Sequence, residues 1–152
     1  MAIASMRVQR TLRAVAAAFW FAVAAPAIAQ KDAGGDVKVV YHLSEGTAQA
    51  TNAIRNIRNH LTADPSAKIV VVAHAGGVQF LLDDAIDGNG APFEAAVQEL
   101  KAKGIDFRVC RFTLERQKID PKKVLPEATL VPSGVAEVSR LQFKEGFAYL
   151  RP

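Results

Sequence analysis

The sequence predicts an α/β fold: a three-layer α/β/α sandwich around a mainly parallel sheet of about five strands. Short runs rich in valine and isoleucine alternate along the chain with longer segments whose apolar residues recur at helical spacing. One of those runs, "KIVVVAHA" (68–75), is almost continuously apolar, as a parallel strand covered on both faces must be. No repeat, low-complexity tract or internal linker interrupts the alternation.

Each element has its own local reason. "VKVVYHL" (37–43) is β-branched and apolar beside glycines, which predicts the first strand. Over 47–61, Ala50, Ile54, Ile57 and Leu61 fall on one helical face, with Arg55, Arg58 and Asn59 on another. The second strand, 68–75, ends in "HAGG", after which "VQFLLDDAI" (78–86) predicts a short helix and "DGNGAP" a loop. Phe93, Ala96, Val97 and Leu100 then mark a helix that Gly104 closes. "DFRVCRF" (106–112) is the next strand, and "TLERQKIDPKK" holds one or two helical turns before Pro121. Ser133 is placed to cap a helix over 134–144, with Val135, Val138, Leu141 and Gln142 as its inward stripe. "FAYLRP" (147–152) supplies a short closing strand.

The N-terminus has a different purpose. Arg7, Arg10 and Arg13 precede twelve apolar residues, Ala14 to Ala25, and small residues at Ala27 and Ala29 follow. That order predicts a secretory signal peptide over 1–29, cleaved before Gln30, then a flexible lead over 30–36 and one domain over 37–152. The apolar run is shorter than the roughly 18 residues that span a bilayer, so no membrane span is expected after cleavage. The expected location is periplasmic or secreted.

The segment 1–29 holds three of the 19 basic residues and none of the 15 acidic ones, leaving 16 against 15 and a net charge of +1. A nucleic-acid binder needs a basic face to displace phosphate counterions, and a chain so nearly neutral does not suggest one. Export also sharpens the chain's single cysteine, Cys110. An oxidising compartment favours paired cysteines, whereas a leftover one implies intermolecular pairing or a free reactive thiol.

In open α/β sheets, ligands bind beyond the carboxyl ends of the strands. Three segments reach that edge: "HLSEG", "AHAGG" and "VCRFTL". Cys110, His74 and Ser44 are therefore candidate neighbours, with Gly76, Gly77, Arg111 and Thr113 around them. The positive charge of Arg108 and Arg111 would favour a Cys110 thiolate; equally, free cysteine is often a small buried hydrophobe. His74 is either a base that orients the thiolate or a strand-end histidine bonded to backbone. His42 and His60 lack metal-ligand spacing, His60 sits at a solvated helix end, and no zinc or other metal site is expected. "HAGGV" lacks both the phosphate-loop and the dinucleotide fingerprints, "DDAIDGNG" lacks the ligands of a calcium loop, and no G-x-S-x-G elbow occurs. No cofactor is expected.

The stretches "VVYHL", "KIVVVAHAGGVQFLL", "GIDFRVCRFTL" and "LVPSGVAEVSRLQFKEGFAYLRP" together resemble the DsrE/DsrF-like proteins, a family associated with sulfur oxidation and sulfur relay. The resemblance runs from Val37 to Pro152 and is strongest to a single-cysteine, often exported branch. It implies that Cys110 carries sulfur as a persulfide, taken from a small sulfur donor and passed to an acceptor thiol protein. It also implies a trimeric or hexameric homo-oligomer. Where the branch commonly has Asn two residues after the cysteine, this chain has Phe112, which removes a side-chain donor near the thiol. The alternative functions are a noncatalytic oligomeric domain that binds a small ligand or protein, and a redox-sensing thiol protein.

Overall fold

The computed structural model describes residues 35–152. The expected signal peptide, and most of the lead that follows it, lie outside the described residues.

Five parallel strands form the sheet: β1 (Lys38–Leu43), β2 (Lys68–Ala73), β3 (Asp106–Cys110), β4 (Ala128–Val131) and β5 (Ala148–Leu150), in the order β4-β3-β2-β1-β5. Helices α1 (Thr47–Ala63), α2 (Phe93–Ala102), α3 (Arg111–Gln117) and α4 (Gly134–Glu145) connect them, with 3-10 turns at Ala75–Leu81 and Pro121–Lys123. The parallel α/β architecture is therefore as the sequence implies. No helix among the described residues is long and apolar enough to cross a membrane.

Strand alternation divides the core in two. Val39, Tyr41, Leu43, Ile69, Val71, Phe107 and Val109 point to one face, where Ile54 and Ile57 of α1 and Phe93, Val97 and Leu100 of α2 cover them. Val40, Val70 and Val72 point to the other, where Val138 and Leu141 of α4, with Phe147, pack on them. Among the described residues, that layer of the sandwich is a single helix. Its grip on the sheet is partly ionic: Glu137 in its first turn pairs with Arg108 of β3 and with Arg140, and Arg108 also binds Asp106 at 2.6 Å.

Several local expectations are corrected. The short helix expected over 78–86 is a 3-10 turn that starts earlier, at Ala75, and ends at Leu81; Leu82 and Ile86 instead form isolated bridges with Val124 and Pro92. The strand expected over 106–112 stops at Cys110, because Arg111 already begins α3. β4 lies within a stretch to which the sequence assigned no strand. In α4, Val138 and Leu141 are buried as expected, but Gln142 is exposed and Val135 is 56 % exposed. His60 is half-buried, 3.1 Å from the Tyr41 hydroxyl through Nδ1.

Candidate functional site

Cys110 is the last residue of β3 and the N-cap of α3, so the chain turns from strand to helix at the sulfur. Two other elements converge on it. His74 leaves β2 at the same edge, its N–H donating to the Leu43 carbonyl at 3.0 Å, and α4 starts beside both residues at Gly134. A Cβ on Gly134 would stand 2.9 Å from the His74 Cβ and 3.2 Å from the Cys110 Cβ. Glycine is required there because the helix terminus approaches the two side chains too closely for any other residue.

Burial of Cys110, which is 5 % exposed, by itself raises the thiol pKa. Hydrogen-bond donors outweigh it: the Thr113 hydroxyl and the backbone N–H groups of Gly134, Thr113 and Phe112 bring the thiol below its ordinary value. The Cys110 side chain makes no N-cap bond at the start of α3, so these donors act on the sulfur as nearby dipoles that favour its charged form. Thr113 is well suited to this. Its Oγ1 accepts from the Ala75 N–H at 3.0 Å, which leaves its own hydrogen free for the sulfur. Gln117 donates to the Ala75 carbonyl at 3.1 Å, so α3 holds both polar groups of a residue with φ of 48°. The Phe112 N–H is shared with the Pro132 carbonyl at 3.3 Å.

A cavity of about 290 Å³ opens beside the sulfur. Cys110, His74, Thr113 and Ser133 line it, Arg116 reaches it from α3, and Phe112 and Val135 border it, 60 % and 56 % exposed. Burial, and then the charge of Arg116, lower the pKa of His74 and keep its ring neutral at neutral pH. Behind it His42 stacks at 4.7 Å between ring centroids and meets the Tyr149 hydroxyl at 2.8 Å through Nδ1. Burial, then His74 and Arg151, lower the pKa of His42 as well.

Of the residues singled out in the sequence, the structure brings Cys110, His74 and Thr113 together. The others are placed elsewhere. Ser44 gives its N–H to the Gln49 Oε1 at 2.9 Å, within the turn that starts α1. Gly76 and Gly77 pass beneath that turn, where a Cβ on Gly77 would overlap the Leu43 carbonyl; their smallness serves backbone packing. Arg111 is exposed and outside the cavity lining. Three participants went unremarked: Gly134, Arg116 and the cavity-side role of Ser133. The pair "SG" at 133–134 was legible only as a helix start. Among the described residues, no three His, Cys, Asp or Glu side chains converge as metal ligands would.

A small parallel α/β domain with a donor-surrounded cysteine at the carboxyl edge of its sheet is the class of protein that fold and site define. The chain matches the DsrE/DsrF-like family over residues 14–152 and belongs to that family, which is related to sulfur relay. It is similar to the solved structure of MTH1491 of Methanobacterium thermoautotrophicum, described as a protein of unknown function. That likeness has 34 % identity over 77 % of this chain and 100 % of the other, with a TM-score of 0.69. YchN of E. coli shares the fold at 12 % identity, over 77 % of this chain and 98 % of the other, with a TM-score of 0.61. Among curated proteins, none matches the chain.

Proposed function

We propose that the protein is an exported sulfur carrier or sulfurtransferase that holds a persulfide on Cys110. The observation that carries this reading is the place of Cys110, at a strand-to-helix turn where the starts of α3 and α4 converge and a cavity opens beside the sulfur. The Thr113 hydroxyl and the Gly134, Thr113 and Phe112 N–H groups favour a thiolate, the form that attacks a sulfane sulfur. The thiolate takes the terminal sulfur of a donor and later yields it to an acceptor thiol, so one cysteine suffices. His74 lines the same cavity, and its lowered pKa favours the uncharged ring beside the sulfur.

Burial of Cys110 favours a second reading, in which the thiol is core and the domain only binds a small ligand or protein. Intact-mass analysis after exposure to polysulfide separates the two. The carrier gains one reducible sulfur atom, and Cys110→Ala gains none. A Cys110 that stays unmodified, and resists alkylation until the protein unfolds, contradicts the carrier.

We further propose a periplasmic or secreted homo-oligomer, trimeric or hexameric. Export is supported by the charge and apolar pattern of residues 1–29. Assembly is supported by exposed apolar side chains: Phe143 of α4 is 91 % exposed, and Tyr149 and Leu150 stand open on the edge strand β5.

A further inference from the structure

We propose that the sulfur donor taken by this cavity is a small anion of the thiosulfonate type, a sulfane sulfur bonded to an oxidised –SO2– or –SO3 centre, with Arg116 holding the oxidised end. The inference rests on the reading of Cys110 as a sulfur carrier.

Size is the first argument. At about 290 Å³ the cavity lies at the lower limit of small-molecule sites, enough for a few heavy atoms and too small for a nucleotide-sized group. Charge is the second. The lining contains no carboxylate, and its one permanent charge is the Arg116 guanidinium. Among the described residues Arg116 makes no ion pair, whereas Arg108 and Arg140 are both bound by Glu137. A guanidinium free of carboxylates presents a planar fork of donors matched to the oxygens of an oxyanion. Its charge acts on His74, which lines the same cavity. Polarity is the third. The Ser133 Oγ accepts from the Ala136 N–H at 3.4 Å, so its hydrogen is free to donate to an acceptor-rich guest. Phe112 and Val135 at the border are apolar and suit the sulfane end.

The chemistry explains why a cation is needed. An anionic donor and a thiolate repel one another, and Arg116 offsets that repulsion where the oxygens sit. The Cys110 thiolate attacks the outer sulfur, a new S–S bond forms at Sγ, and the bond to the oxidised sulfur breaks. The electron pair departs with sulfite or a sulfinate, and Cys110 is left as a persulfide anion. Charge balances with no further oxidant, reductant or proton.

The test compares two reactions of Cys110 in the wild type, Arg116→Gln and Arg116→Lys: loading from thiosulfate, followed by intact mass and sulfite release, and alkylation by uncharged iodoacetamide. Arg116 is not among the donors that act on the sulfur. R116Q is therefore expected to lose about tenfold or more in thiosulfate loading while alkylation changes less than about twofold, and R116K to recover part of the loss. Loading by R116Q at the wild-type rate, or a parallel loss in both reactions, overturns the assignment. If the wild type loads from polysulfide but not from thiosulfate, the anion assignment fails and the carrier reading stands. If it loads from neither, both fail.

Discussion

The reactivity of Cys110 depends on atoms that its sequence neighbours do not suggest. Arg108 and Arg111 look like the source of positive potential, yet Arg108 is bound by Asp106 and Glu137 and Arg111 faces solvent. The donors are one hydroxyl and three backbone N–H groups. This also bears on Phe112: its side chain borders the cavity while its N–H still contributes at the sulfur. Thr113 is the only side chain among those donors, so removing its hydroxyl should be felt directly. A hydrogen bond to a charged group contributes about 1.5 to 3 kcal/mol, which corresponds to a rise of roughly one to two pKa units. Thr113→Val is expected to shift the pH profile of Cys110 alkylation upward by that amount, while Thr113→Ser keeps the wild-type profile. An unchanged profile in Thr113→Val removes the hydroxyl from the account.

At the scale of elements, what was legible followed burial. β2 is apolar after Lys68 and β1 is largely buried because both faces are covered, and α1 and α2 show clear stripes because each packs on one side. β4 has only four residues, half-exposed and bracketed by Pro126 and Pro132, so it carries little of the pattern that marks a strand. The 3-10 turn after β2 was hidden for another reason: Gly76 and Gly77 signal backbone proximity, and only the fold shows that their neighbour is the Leu43–Gly46 turn. α4 matters most for the site, because it carries Gly134 to the sulfur. Its register depends on the half-buried pair of Arg108 and Glu137, one turn from that glycine. Breaking the pair leaves Arg108 short of a partner and loosens the helix start. Glu137→Gln is expected to lower stability by about 1 to 3 kcal/mol in denaturant unfolding. It should also raise the Cys110 pKa, an effect that simple loss of stability would not produce; a destabilised variant with a wild-type alkylation profile would show that the ion pair serves packing alone.

For the molecule as a whole, the sheet order brings the ends of β2 and β3 side by side and returns the chain through α4 across their carboxyl edge. Residues 74, 110 and 134 therefore meet although each lies in a different connection. That edge could be named from the alternation of elements alone, with Cys110, His74 and Thr113 among its contents, but the rest could not. Ser44 reaches the edge and turns into α1, while Arg116, in the second turn of α3, lines the cavity. The covering of one sheet face by a single helix was likewise invisible in the sequence, since Val40, Val70 and Val72 read as buried whatever packs on them. This arrangement lowers the pKa of the Cys110 thiol below its ordinary value despite its burial. That lowering is tested most directly by the rate of Cys110 alkylation in the native protein as a function of pH. The account predicts a single transition with an apparent pKa below the ordinary thiol value of about 8.5, the rate rising as pH increases through it. A transition at or above that value, or no reaction until the protein unfolds, would contradict it.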